Sequence, residues 1–556
     1  MPFPFELPTT SSISFDDFYI STTHPSLPLA ATTCRGVLRD VLKKHKRLPP
    51  PSQTSDLPAV ATALNEYIPH LSALDAGLSN SNSNSNTAAA SEAINVAPLP
   101  RGELAVEWRA TLTAPQMPGR DPPRIKLRGL RLELGFALAS LAYVHSLQAR
   151  AALHALYNYN SAAAPPSSEQ RTAAVAAAMR AFLEANAIHT YLVQRLGSIN
   201  ANGTSPPPAA PPQPTSSNND GSKRPPPSSA PPPTAIPPDM TPGVQTALAE
   251  LTLAEATLIA VLKDDPYPAV VAEDRSRASR DWMFKAPDIP RVRAHLFARL
   301  CLAAAEHAAR GKAGLGWAAG GSAAAAGKVD EALGRYLEDL RRTARGKACR
   351  FFGIDAELEG KAGEAIAWLR AARRELGFSS GGGGGGGGVS GGAGEEEGGG
   401  SSKGRGFASK LKKDWSERRE DRKIEKGADW GSDAGRFEEG RVVDMLEKKW
   451  VKMNDTVGVQ TIPPIEPLLA SMPSGREYHS PKAYKLPQLD ESTIARMRAP
   501  PNPSEVTSGG VDDSSSDDDR EESRRRAAGG GNPIGAFPGT SGDYAADAGG
   551  DREGYY

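Results

Sequence analysis

Apolar residues recur at intervals of three and four along most of this chain. Cys34, Val37, Leu38, Val41 and Leu42 form one such stripe, which predicts an amphipathic helix running to about Arg47. Pro49 and Pro50 should stop it, because proline lacks the N–H that would continue the ladder and its ring collides with the preceding turn. Leu57, Leu64, Ile68 and Leu71 predict a second helix, with Pro58 tolerated in its first turn and Pro69 expected to kink or end it. Leu127 to Tyr159 reads as one long helix with Leu134, Leu138, Leu141 and His145 on a stripe, and Arg171 to Leu196 continues in the same alanine-rich style. Val244, Leu248, Leu251, Leu258 and Leu262 mark a further helix. Pro290 opens the next at an allowed position, with Val292, Leu296, Leu300 and Ala303 on its inner face. Lys328 to Arg350 and Leu358 to Leu376 add two more, the second closed by Gly377, and Arg436 to Lys452 is the last clear helix.

Alternation with period two is scarce. Glu103 to Trp108 places Leu104, Val106 and Trp108 on one face and predicts a strand, pairing with Arg124 to Leu132 through a turn at Pro118 and Gly119. That competes with the helical reading from Leu127 onward. Polar or low-complexity tracts interrupt the pattern at about 79–97, 202–238, 320–327 and 379–402, and residues 501–556 form a low-complexity tail. Insertions of this kind cost little when they close long loops. The expectation is one helical domain over residues 1–500 with disordered inserts and tail.

Composition sharpens this picture. Of 556 residues, Gly 55 and Pro 48 make up nearly a fifth, gathered in the tracts, and aromatics are only 6%, too few for several separate cores. Lys+Arg 65 balances Asp+Glu 65, so a uniformly basic nucleic-acid binder is excluded, though local patches are not. Cys34, Cys301 and Cys349 are far apart and form neither a metal nor a redox motif. The opening MPFPFELPTTSS has no basic start followed by an apolar run, and the most apolar stretches stay well short of 18 residues without charge. These features lead us to expect a soluble protein of a reducing compartment, without a signal peptide or a spanning helix.

Tests for chemistry fail one by one. Gly321 to Lys328 looks like a phosphate loop, but it has one residue too many between the glycines, and Val329 stands where Ser or Thr would hold magnesium. His295 and His307 are about 18 Å apart along a helix axis and cannot share a metal. Cys301, between Leu300 and Leu302, reads as packing. Asp264 and Asp265 sit before a Pro-Tyr-Pro turn, and such pairs are common by chance. No enzyme and no cofactor is expected.

Arg405 to Lys426 carries nine Lys/Arg against five Asp/Glu, with Phe407, Leu411 and Trp415 on one face at a spacing of four. That face could lie on an anionic membrane, or it could pack a charged, solvated helix onto its own domain. Long alanine-rich helices offer broad rigid surfaces, which suits a protein that takes an amphipathic helix or an extended peptide in a groove.

Leu248 to Pro268, Ile289 to Arg310 and Lys328 to Ala344 resemble consecutive helices of the Bro-type domain. Asn454 to Leu489, NDTVGVQTIPPIEPLLASMPSGREYHSPKAYKLPQL, together with the opening nineteen residues to Tyr19, is similar to the fungal pH-response regulators built on that domain. The resemblance covers most of residues 1–500, and its terminal segments are the specific part. It implies a mainly α fold: an elongated Bro-type helical domain with tetratricopeptide-like central helices and a small β-hairpin or sheet. It implies a cytoplasmic, non-enzymatic adaptor of ambient alkaline pH signalling, recruited to plasma-membrane cortical sites or endosomes. The implied partners are the C-terminal helix of the ESCRT-III filament subunit, the membrane pH-sensor complex and the assembly around a calpain-like protease that cleaves a zinc-finger transcription factor. The family's apolar patch for the filament-subunit helix falls near Val292, Leu296 and Leu300, which could equally be core residues. Asn454, Arg476, Tyr478 and His479 would clamp the returning C-terminal segment. A V-shaped coiled domain and proline-rich tail, present in the sorting-pathway members, are not expected after residue 500, where only a polar tail is read.

Overall fold

The computed structural model describes residues 2–82, 94–100, 102–115, 117, 119, 121–157, 167–203, 236–268, 270, 291–320, 328–378 and 431–499. The chain divides into two compact units, Met1–Ala499 and Pro500–Tyr556, and every described residue belongs to the first. Within it the helices are α1 Leu27–Arg47, α2 Pro50–Asn82, α3 Leu130–Tyr157, α4 Ser168–Gly203, α5 Pro242–Leu262, α6 Arg291–Gly320, α7 Glu331–Leu358, α8 Ala362–Glu375, α9 Arg436–Met453, α10 Ile465–Ala470 and α11 Glu491–Met497. From α3 to α8 each helix packs on the next, the arrangement of helical-repeat proteins, and the described residues are predominantly α-helical.

Two antiparallel pairs supply the small β component. β1 Tyr19–Ser21 pairs with β2 Val96–Pro98, and β3 Ala105–Arg109 pairs with β4 Arg124–Arg128 in a register that sets Trp108 opposite Ile125. The alternation is visible in the burial of Leu104, Val106 and Trp108. The competition at Leu127 resolves as strand to Arg128, then Gly129 at φ +85°, then helix. The N-terminal segment runs along the other edge of β3, where Ser11 N donates to Glu107 O (3.1 Å) and Arg109 N to Thr9 O (2.9 Å).

Three local expectations change. Pro69 neither ends nor breaks α2, which runs from Pro50 to Asn82 with Pro58 and Pro69 inside it. The carbonyl that Pro69 leaves without a donor belongs to Asn65, an exposed residue, while buried Tyr67, Ile68 and Leu71 hold the helix in place. The expected break between Arg350 and Leu358 is absent: α7 continues to Leu358 and turns at Gly360, φ +78°. The tract placed at 79–97 contributes the last turn of α2 and strand β2. By contrast, Gly377 at φ +78° closes α8 as anticipated, with Phe378 N donating to Arg373 O and Gly377 N to Arg374 O.

The core falls into two main clusters. The first joins the N-terminal segment, α1 to α5 and the start of α7; the second gathers α6, the end of α7, α8 and α9. Cys301 and Cys349 are buried in the second, and burial pushes the Cys301 thiol up to about 12, as a packing role requires. α5 is long and apolar enough to cross a membrane, yet most of it is buried inside this fold and it carries Glu250 and Glu255.

Candidate functional site: a strapped helical face with buried charge clusters

The chain from Val459 to Ala499 returns along the helices as a strap. Gln460 grips the α7–α8 turn, donating from Nε2 to Gly360 O (2.9 Å) and accepting at Oε1 from Gly363 N (3.0 Å). Ile465, Leu468, Leu469 and Met472 pack on the second core. On α6, Arg476 N donates to Arg299 O (3.0 Å) and Gly475 N to Glu306 Oε1 (3.1 Å). Farther along, Tyr484 meets Tyr191 of α4 edge-on at 5.6 Å, and Ala499 N donates to Thr23 O beside β1 (2.7 Å).

The crossing at α6 permits only glycine, since a Cβ at Gly475 would lie 2.5 Å from the Ala303 backbone nitrogen. Gly475→Val is therefore expected to lift the strap, costing about 1–3 kcal/mol of stability. Thermal unfolding should show the loss, and faster amide exchange over residues 472–489 with unchanged helicity would locate it. Exchange unchanged over that segment would contradict the assignment.

A charged clasp sits beside this crossing. His307 lies between two carboxylates, Nδ1 2.7 Å from Glu250 Oε2 and Nε2 3.0 Å from Glu477 Oε2, and Arg310 Nε donates to Glu250 Oε2 at 3.0 Å. Burial alone would push the Glu250 carboxyl up; His307 and Arg310 outweigh it and hold it below its ordinary value. His479, half-buried on the strap, hydrogen-bonds the backbone of Ala256 on α5 as expected of a clamp, and burial pushes its imidazole down. Of the residues expected to clamp the segment, Asn454 is buried and caps the turn, Arg476 acts through its backbone, and Tyr478 is 57% exposed. Glu477, which no local sequence pattern marks, joins Gln460 among the strap side chains that clamp the segment.

The expected contact residues lie on α6. Leu300 is 3% exposed within the second core, Leu296 is half-buried against it, and Val292 lies in the first turn of the helix. The solvent side of this stretch is formed by Arg293 and His295. Phe407, Leu411 and Trp415 lie outside the described residues, as does Pro290.

Three buried charge clusters fix the frame that holds this face. In the first, the Glu133 carboxylate accepts from Arg35 Nε (2.9 Å), Tyr67 OH (2.7 Å) and Trp108 Nε1 (2.5 Å), joining α1, α2, β3 and α3. In the second, Arg350 donates to Asp265 and Glu439, Lys347 Nζ donates to Glu439 Oε2 at 2.5 Å, and the guanidinium stacks 4.3 Å from the Phe351 ring centre. Burial works against each charge, yet the partners prevail: Glu439 is held below its ordinary value, Lys347 and Arg350 above theirs. Asp265, one of two adjacent aspartates with no evident role in the sequence, is thus a structural anchor.

The third cluster has one member with an open end. Glu255 Oε1 accepts from Phe3 N (2.9 Å) and Tyr336 OH (2.7 Å), tying the N-terminal segment to α5 and α7. Its Oε2 has no hydrogen-bond partner among the described residues and lines a partly open cavity of about 40 Å³, as does Thr343 Oγ1. Burial pushes this carboxyl up to about 7. Among the described residues no group of three or more His, Cys, Asp or Glu is placed to hold a metal ion.

No family model matches the chain. It is 43% identical over 532 residues to the pH-response regulator protein palC of Emericella nidulans, covering 92% of this chain and 94% of the relative. The chain belongs to the palC family of pH-response regulators. A second palC, from Cryptococcus neoformans, is 32% identical over 161 residues, 28% of either chain. Comparison with solved structures gives a TM-score of 0.43 at 12% identity for an ALIX BRO1 CHMP4C complex, covering 88% of this palC-family chain and 99% of the other. A structure described as the basis for endosomal targeting by the Bro1 domain gives 0.40 at 14% identity, covering 89% and 95%.

Proposed function

We propose that this chain is a non-enzymatic adaptor of ambient alkaline pH signalling that docks the C-terminal amphipathic helix of the ESCRT-III filament subunit. It would help assemble the complex in which a calpain-like protease activates a zinc-finger transcription factor, downstream of a membrane pH sensor. The observation that carries this reading is the near-full-length match to palC at 43% identity. The Bro-type resemblance of the helix run supplies the partner, and a stacked helical face of the kind seen over α5 and α6 suits an incoming amphipathic helix. The site of action would be the cytoplasm, with recruitment to cortical plasma-membrane sites or endosomes.

Leu296 is the residue on which to test the contact, because it lies at the edge of the core and Leu300 lies within it. Calorimetric titration of the full chain with the filament-subunit helix should give saturable one-to-one binding. Leu296→Asp should weaken it at least about tenfold, near 1.4 kcal/mol, with helicity unchanged by circular dichroism. Binding by the parent chain but unimpaired in the variant would remove α6 from the contact. An absence of binding by the well-folded parent would remove the partner.

A further inference from the structure

The end of α9 carries a feature that the adaptor reading does not use. Val457 is 85% exposed on the π-helical turn Asn454–Gly458, which continues α9 past Met453, itself nearly half exposed, and Val459, which ends that turn, is 81% exposed. Isolated exposed aliphatics are ordinary on soluble proteins, but these two are held out by a built turn. Asn454 is buried and clips the turn across its base: Nδ2 donates to Gln460 O (3.0 Å), Oδ1 accepts from Gln460 N (3.0 Å), and its carbonyl accepts from Val459 N (2.7 Å). Gln460 in turn is fastened to the α7–α8 turn, two residues beyond the exposed Leu358. Val459 adopts φ +44°, left-handed backbone that a β-branched residue occupies only under strain. Glycine or asparagine would relieve that strain, yet an exposed valine stands there.

A collar of positive charge adjoins the two valines. Lys448 and Lys452 are exposed and Lys449 half-exposed on the last turns of α9, and among the described residues none of the three is in an ion pair. The nearby acids Asp444 and Glu447 are already engaged by Arg373 and Arg370, leaving Asp455 as the acid on the turn itself. The adjoining hollow is lined mostly by charged and polar groups, among them Arg370, Arg373, Lys448 and Asp455, so the valines project beside a polar surface and have no apolar groove to fill. A rigid aliphatic pair projecting from a lysine collar fits the boundary between headgroups and acyl chains of an anionic bilayer.

We propose that the π-helical turn Asn454–Gly458, with Val459 at its end, is a lipid-docking tip: Val457 and Val459 enter the interface of an anionic membrane while Lys448, Lys449 and Lys452 face its headgroups. This contact uses none of the residues of the α6 face or of the basic stretch at 405–426.

Co-sedimentation of the full chain with phosphatidylcholine vesicles, with and without phosphatidylserine, tests it. The parent is expected to bind the serine-containing vesicles and to be released by added salt. Val457→Asp with Val459→Asp, and separately Lys448→Glu with Lys452→Glu, should each lower the partition coefficient about tenfold or more. They should do so equally in a Trp415→Glu background, which removes the apolar anchor of the 405–426 stretch. Val459→Gly is the control for folding: its melting temperature should equal or exceed that of the parent while its membrane binding falls. No serine-dependent binding by the parent overturns the proposal, as does binding that ignores the tip substitutions or is abolished by Trp415→Glu alone. These outcomes are independent of filament-subunit binding.

Discussion

Arg350→Met is expected to destabilise the fold by about 3–5 kcal/mol at neutral pH, because it leaves Asp265 and Glu439 buried with Lys347 as their remaining cation. Methionine keeps the apolar stem of Arg350 but not the guanidinium that stacks on Phe351, so the loss combines the stranded carboxylates with that stacking. Denaturant unfolding at several pH values gives a further signature. Glu439 is held below its ordinary value, so the stability it contributes is present above about pH 4.5 and is lost as pH falls through its lower native value. The deficit of the variant should therefore narrow in acid. A charge-balanced pair, Arg350→Met with Asp265→Asn, should recover part of the loss, since a buried ion network replaced as a unit is far less costly than one broken at a single member. An Arg350→Met protein as stable as its parent would show that the network contributes nothing to holding α9 on α7.

Glu255→Gln is expected to have the second-largest effect, and its size should depend on pH. The carboxyl has its pKa pushed up to about 7 by burial, against an ordinary value of 4.5. Between those values the native state holds a proton that the unfolded chain releases, so native stability falls as pH rises through this window. The full span corresponds to about 3 kcal/mol. Glutamine keeps an oxygen for Phe3 N and Tyr336 OH and carries no charge, so it should remove this dependence. The groups that face Glu255 belong to several elements: Tyr336 and Lys347 on α7, Arg150 on α3, and Glu438 on α9 across the cavity. The comparison with the parent cancels their own titrations to first order. The variant should gain on the parent from about pH 5 to pH 7 and level off above it, and parallel stability curves would refute the shift.

Much of the helical layout was legible because a helix declares itself locally. The stripes at Cys34–Leu42 and Val244–Leu262 became α1 and α5, and Gly377 marked the end of α8 because a left-handed residue there satisfies two carbonyls. The same local logic misplaced the end of α7. Lys347 and Arg350 look like the basic last turn of a helix, whereas in the fold their charges point inward at Glu439 and Asp265 and the helix runs on. Pro69 looked like a breaker because sequence does not show that Asn65 faces water.

The candidate site was harder to read. Residues at a spacing of four on α6 are the same whether they face a partner or a core, and only packing put Leu300 inside and Leu296 at the edge. The family-specific segment after Asn454 was recognisable as a word, but its role as a strap depends on contacts with residues more than 150 positions away, including His307 and Glu306.

Taken by itself, the sequence determined the mainly helical class, the β3–β4 hairpin, the tracts that interrupt the helices and the family resemblance. Each follows from short-range periodicity, backbone preference or a contiguous motif. Tertiary structure alone decided which charges are buried in pairs, that Gly475 lets the strap touch α6, and that the buried Glu255 ties Phe3 to Tyr336 beside a cavity. These depend on desolvation and on distances between remote segments. A carboxylate in water and one inside a fold are the same letter in the sequence, and the difference in their free energy arises only when the surrounding helices have closed.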